Sequence, residues 1–182
     1  MKLMIASEIH GSALYCEKLL ERFREEKPDR LLLLGDILYH GPRNDLPEGY
    51  APKKVIPLLN EISGYCVGVR GNCDAEVDQM VLDFSIMDDY LYLNIDGLDI
   101  YATHGHVYDQ HRPMKGTRGI LLGGHTHVPA IEEFADYVYL NPGSVSIPKD
   151  GTERSYMILE NRVFQWKKLE DGETYKEYRV KE

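Results

Sequence analysis

Two histidines one residue apart, His125 and His127, follow the apolar Leu121-Leu122 and the glycine pair Gly123-Gly124. On extended backbone, imidazoles spaced i, i+2 project to one side, and imidazole nitrogen is the commonest side-chain metal ligand. Other apolar runs end in residues of the same class. Leu3–Ala6 leads to Glu8 and His10, Leu31–Leu34 to Asp36, Val67–Val69 to Asn72, and Ile100–Thr103 to His104. Singly, each has a plainer reading: a turn for Asp after Gly, a cap for Asn before Cys, a satisfied core residue for a lone His. Such coincidences at five separate chain positions argue for a constellation.

The elements that would carry these residues follow from periodicity. Lys2 to Ala6 reads as a buried strand. Ser12 caps a helix in which Ala13, Cys16, Leu19, Leu20 and Phe23 recur at helical spacing, until Pro28-Asp29 stops it. A strand over Arg30 to Leu34 follows, then a loop from Tyr39 to Tyr50 with no periodicity, of a length usually kept for function. A helix is expected from Pro52 to Ile62, with Pro57 kinking it or delaying its start, and a third strand from Tyr65 to Val69. Beyond that the pattern turns to short segments rich in β-branched and aromatic residues: Tyr90–Ile95, Leu98–Thr103, Ile120–Leu122, Tyr137–Leu140, Tyr156–Leu159, Val163–Lys167 and Tyr175–Val180. Asp96-Gly97, Asp150-Gly151, Glu160-Asn161 and Asp171-Gly172 separate several of them as hairpin turns would. An α/β first half and a β-rich second half, with no linker between, predict one domain over residues 1–182 with two packed sheets and helices outside. In such sheets ligands bind beyond the C-terminal strand ends, where these candidates fall.

Composition narrows the partners. The 43% hydrophobic and 28% charged residues suit a soluble protein, and no run approaches the roughly 18 apolar residues of a membrane span. With 30 acidic against 21 basic residues, general nucleic-acid binding is not expected. Three scattered cysteines without a Cys-x-x-Cys pair indicate neither a disulfide framework nor a zinc ribbon, and a cytoplasmic location is expected. The chain is compatible with a homo-oligomer.

Glu8, His10, Asp36, Asn72, His104, His125 and His127 make seven oxygen or nitrogen ligands. That exceeds the four of a closed zinc site and includes no sulfur, so two divalent cations of five or six ligands each fit better. Manganese is the first choice, with iron, zinc or nickel as alternatives. Cations roughly 3.5–4 Å apart need an anion between them, and the carboxylate of Asp36 is the natural bridge.

In this order the residues resemble the calcineurin-like metallophosphoesterases. That family's Asp-x-His, Gly-Asp, Gly-Asn, His-Gly-His and Gly-His-x-His signatures appear as Glu8-Ile9-His10, Gly35-Asp36, Gly71-Asn72, His104-Gly105-His106 and Gly124-His125-Thr126-His127. His40-Gly41-Pro42-Arg43-Asn44, Leu46 to Pro52, Arg70 to Asp74 and Asn141 to Pro148 bring the likeness closer to the small bacterial YfcE-type phosphodiesterases. The resemblance spans Met1 to about Lys149. It implies a four-layer α/β sandwich of two mixed β-sheets flanked by α-helices, with Glu8, His10 and His127 at one metal, Asn72, His104 and His125 at the other, and Asp36 between. It also implies hydrolysis of small phosphodiesters by a metal-bridging hydroxide, with Asp36, Asn72 and His104 as catalytic residues and no covalent intermediate. Arg43, Asn44, Cys73 and His106 are candidates for substrate contact.

Two positions depart from the family pattern. Glu8 stands where the family has Asp, one methylene shorter. Cys73 stands where many phosphomonoesterases of the superfamily have a His after Gly-Asn, a residue taken to assist the leaving oxygen. A thiol is a poorer acid and donor, which favours diesters or good leaving groups over alkyl monoesters. The alternatives are a phosphomonoesterase or nucleotide phosphatase, and a non-catalytic protein-binding scaffold of the same fold, as in the related retromer subunit.

Overall fold

The computed structural model describes residues 1–181; the last residue of the expected 1–182 span lies outside them. Strand β1 (Leu3–Ala6), helix α1 (Ala13–Glu26), β2 (Arg30–Leu33), α2 (Pro52–Glu61) and β3 (Cys66–Gly68) make up the first part, followed by a one-turn helix α3 (Glu76–Gln79). The rest is strand: β4 (Tyr90–Ile95), β5 (Leu98–Thr103), β6 (Gly119–Leu122), β7 (Ala130–Glu133), β8 (Tyr137–Asn141), β9 (Ser155–Glu160), β10 (Val163–Lys168) and β11 (Thr174–Arg179). They form a six-stranded sheet in the order β11-β10-β9-β1-β2-β3 and a five-stranded sheet in the order β4-β5-β6-β8-β7, both of mixed direction.

Alternation of side chains along each strand divides the apolar residues between two cores. Met4, Ala6, Leu31, Leu33, Tyr156 and Ile158 face Cys16, Leu19, Leu20 and Phe23 of α1 and Val55 and Leu59 of α2. From the other face of the same strands, Leu3, Ile5, Leu32, Leu34, Met157 and Leu159 meet Ile100, Ala102, Ile120, Leu122 and Leu140 of the second sheet. Phe164 and Trp166 join this inter-sheet core, both fully buried. The two long helices therefore lie on one side of the sandwich. The outer face of the second sheet is covered by coil, with Met114 and Tyr108 against Leu121 and Tyr139.

Local chemistry explains most boundaries. The Ser12 hydroxyl accepts the Tyr15 N–H at 3.3 Å, and Lys27 ends α1 in the left-handed region at φ 49°. Helix α2 starts at Pro52 with no delay, because the N–H that Pro57 lacks would have served only Lys53 in the first turn. Three sequence expectations are corrected. Val163 pairs with Glu160, so the β9–β10 turn is Asn161-Arg162, both at positive φ. Asp150-Gly151 is a turn between strands of different sheets, not a hairpin. Strand β7, with only Ile131 as a β-former between Ala130 and two glutamates, was not anticipated.

Candidate metal centre

The C-terminal ends of β1, β2 and β3 in one sheet and of β5, β6 and β8 in the other point to the same edge of the sandwich. The loops leaving them bring the seven candidate ligands together. One ligand-type atom each from Glu8, His10 and His127 lie within 4.8 Å of one another, and the same holds for Asp36, His104 and His125. Asn72 joins the second group, its Oδ1 3.0 Å from His104 Nε2. Asp36 Oδ2 lies 3.6 Å from His10 Nε2 and 3.5 Å from His104 Nε2, between the two groups.

Backbone carbonyls set the tautomers. Nδ1 of His10 faces Tyr39 O at 2.8 Å, Nδ1 of His104 faces Leu34 O at 2.7 Å and Nδ1 of His127 faces Ile147 O at 2.6 Å. Only an N–H can make these bonds, so each ring presents the Nε2 lone pair to the centre. His10 Nε2 and His127 Nε2 are then 3.4 Å apart, and His104 Nε2 and His125 Nδ1 3.1 Å apart. The two acceptors at Nε2 of His10 and His127 are favourable only around a proton or a cation. The donor set thus suits divalent cations, which Glu8, His10 and His127 on one side and Asn72, His104 and His125 on the other, with Asp36 between, would hold.

Protonation follows the same logic. Burial works to raise the Glu8 carboxyl, but His104, His10 and His127 around it hold it well below the usual range. His10 is raised: burial opposes its charge, and the Glu8 carboxylate overcomes that. His125 and His106 are lowered by burial and then by the charge of His104.

Five of the seven candidate ligands have left-handed backbone: Glu8 (φ 64°), His10 (47°), Asp36 (55°), His125 (65°) and His127 (63°). The extended backbone expected for His125-Thr126-His127 is corrected here, and its two imidazoles serve different halves of the centre. Such conformations cost roughly 1–3 kcal/mol each in non-glycine residues and persist only where the surroundings over-determine them. Here the His10 N–H donates to Asp36 O at 2.9 Å, the Ser146 hydroxyl to Glu8 O at 2.8 Å, and the His125 N–H to Glu8 Oε1 at 2.6 Å.

The glycines before the ligands make room for other ligands. A Cβ on Gly71 would sit 2.1 Å from Asp36 Oδ1, and one on Gly124 would sit 2.2 Å from Ser7 Oγ and 2.8 Å from Glu8 Oε1.

Asp74 and Asn141 were not assigned roles from the sequence. The buried Asp74 carboxylate accepts the N–H groups of Asp36, Ile37 and Gly71 at 2.7–2.9 Å, so it shapes the loop that presents Asp36. Burial, with Asp36 close by, pushes its carboxyl up to about 6. Asn141 donates to Gly124 O at 2.8 Å and Thr126 Oγ1 at 3.1 Å, steadying the His125–His127 loop. Their signal was position: Asp74 lies two residues after a candidate ligand, and Asn141 ends a strand adjacent to β6.

Of the candidate substrate contacts, Arg43, Asn44 and Cys73 line a cavity of about 340 Å³ together with Asp36, Asn72 and His127; Lys149 also lines it and was not anticipated. His106 lies instead on an adjoining groove. The Asn44 amide is engaged with His40 O at 2.9 Å. Burial, and then Asp36, push the Cys73 thiol up to about 12.

Comparison with known proteins agrees with this architecture. Residues 1–162 match the calcineurin-like phosphoesterase superfamily domain. The chain is 46% identical over 172 residues to phosphodiesterase YfcE of Escherichia coli K12, covering 94% of each chain. It is 25% identical over 151 residues to phosphodiesterase MJ0936 of Methanocaldococcus jannaschii, covering 79% of this chain and 83% of the other. The solved structure of the E. coli YfcE phosphoesterase superposes with a TM-score of 0.95 at 43% identity over the whole of both chains. Vacuolar protein sorting 29 of Cryptosporidium parvum shares the fold, with a TM-score of 0.67 at 19% identity over 98% of this chain and 97% of that one. The chain belongs to the calcineurin-like phosphoesterase superfamily.

Proposed function

We propose that this protein is a metal-dependent phosphodiesterase that hydrolyses small phosphodiesters at a dinuclear centre, and that residues 1–182 act as one domain. The observation that carries the reading is the pair of donor sets meeting at Asp36. It is supported by the family and by the similarity to E. coli phosphodiesterase YfcE. Two divalent cations are proposed, manganese first, with iron, zinc or nickel as alternatives. Bound metals supply Lewis acidity toward the phosphoryl oxygens and lower the pKa of the attacking water.

The chain's own residues do the rest. Asp36, Asn72 and His104 fix the donor geometry, with His104 held by Leu34 O and its Nε2 3.0 Å from Asn72 Oδ1. Arg43 and Lys149, on the wall of the cavity, balance the negative charge of a bound phosphate. Cys73 shares that wall, and a thiol with so high a pKa protonates a leaving oxygen poorly, which favours diesters and good leaving groups. The acidic chain does not favour extended nucleic acid as substrate, and a cytoplasmic location is part of the proposal. Among the described residues no helix is long and apolar enough to cross a membrane.

The test is to strip the protein with chelator, add back manganese, nickel, zinc or magnesium, and compare an aryl phosphodiester with the matching monoester. Metal-restored turnover of the diester above the monoester is expected. Turnover of neither with any metal overturns the reading.

A further inference from the structure

In diester hydrolysis the oxygen of water bonds to phosphorus and the P–O bond to one arm breaks. That arm takes a proton and leaves as an alcohol, while the other stays on phosphorus as a monoester. The cavity beside Asp36, at about 340 Å³, has room for the phosphoryl group next to the candidate ligands. A groove of about 760 Å³ opens beside it, and Arg43, Asn72, His125 and Thr126 line both. Its far wall is the coil from Gly105 to Arg112.

This wall is built. Asp109 Oδ1 accepts the N–H groups of His111 and Arg112 at 2.8 Å each, and the Tyr137 hydroxyl donates to Gln110 O at 2.8 Å. His111 stands edge-on to Phe134, with ring centroids 5.8 Å apart. The Nδ1 atom of His106 is buried and finds no hydrogen-bond partner among the described residues. Buried polar atoms without a partner are uncommon and call for one.

We propose that this groove seats the arm retained on phosphorus, and that the arm is nucleoside-sized, with a hydrogen-bonding ring, not an alkyl or acyl chain. The assignment rests on the phosphodiesterase reading. The groove falls within the roughly 300–1,000 Å³ usual for small-molecule sites. Its wall offers imidazole, carboxamide, carboxylate and guanidinium groups, and no aliphatic side chain lines it, so a hydrocarbon arm would leave those polar groups without partners. Since the retained arm and phosphate form the product, a nucleoside monophosphate is a ligand of the same groove.

The test uses manganese-loaded protein and three 4-nitrophenyl phosphodiesters whose second arm is methyl, octyl or 5′-thymidine. The thymidine diester is expected to exceed the other two in kcat/KM by about tenfold or more, the order of discrimination a few polar contacts provide. Gln110→Ala, His111→Ala and Arg112→Ala, each checked for folding by circular dichroism, should shrink the thymidine-to-methyl ratio. Calorimetry should show thymidine 5′-phosphate binding more tightly than methyl phosphate, by a margin that shrinks with the same substitutions. A ratio near one, a preference for octyl, or a ratio that survives all three substitutions overturns the groove assignment while leaving the diesterase reading intact. Failure to hydrolyse any of the three overturns both.

Discussion

The backbone N–H of His125 donates to Glu8 Oε1 at 2.6 Å, so a side chain of one metal group holds the main chain of the other. The remaining oxygen, Oε2, lies 3.0 Å from His10 Nε2 and 3.2 Å from His127 Nε2. Glu8 thus divides its oxygens between a backbone bond and the His10–His127 pair.

Shortening this residue separates the two roles. Glu8→Asp matches the family pattern and is expected to raise metal affinity or turnover, while Glu8→Gln, which removes the charge, lowers metal content. Metal content by mass spectrometry and titration with manganese measure both. Equal metal content and equal activity in the native and Glu8→Asp proteins would sink the idea. Asp36→Asn and His127→Ala should abolish metal-dependent activity.

The glycines give a graded series. Gly71→Ala and Gly124→Ala place a Cβ within 2.2 Å of atoms around Asp36 and Glu8, and should cost metal binding and lower the melting temperature. Gly64→Ala meets nothing within 4 Å and serves as the neutral control. Melting curves with and without manganese separate the two effects.

Replacing Cys73 alters the leaving-group side of the cavity. Cys73→His introduces a group with a pKa near 6.5 in place of a thiol at about 12. The ratio of monoester to diester turnover should rise, by roughly the 10²–10⁴-fold that positioned acid catalysis contributes at most. An unchanged ratio in a folded, metal-replete variant refutes the argument.

Away from the centre, Glu26 makes stability depend on pH. Burial acts to raise its carboxyl, but bonds from Lys167 and from Lys2, the latter at 2.7 Å, hold it below the usual range. A carboxyl depressed in the folded state adds stability above its unfolded pKa, near 4.5, and loses it as pH falls through the folded value. Glu26→Gln should therefore lower the melting temperature near neutral pH, with the difference vanishing in strong acid. A difference independent of pH counts against the ion pairs.

The clustering of the candidate ligands could be read because each ends an apolar run: Glu8 and His10 after β1, Asp36 after β2, His125 and His127 after β6. What escaped was the conformation holding them there. Left-handed backbone at Glu8 or His127 leaves no mark in composition, since its causes are distant, such as Ser146 and Lys149 reaching those carbonyls. Asp74 looked like any polar loop residue until three N–H groups were seen to meet it. Asp150-Gly151 was rightly a turn, but turn chemistry is local and does not say which sheet receives the next strand.

The pairing of β1 with β9 matches Leu3 to Leu159, and the Glu8 loop is completed by His125 and Ser146. A chain emerging from the ribosome therefore exposes Glu8, His10, Asp36 and Asn72 long before their partners have been made. These four alone lack the bonds from His125 and Ser146 that set the Glu8 loop. The donor set drawn from both halves of the chain takes its geometry only once His104, His125 and His127 have joined it.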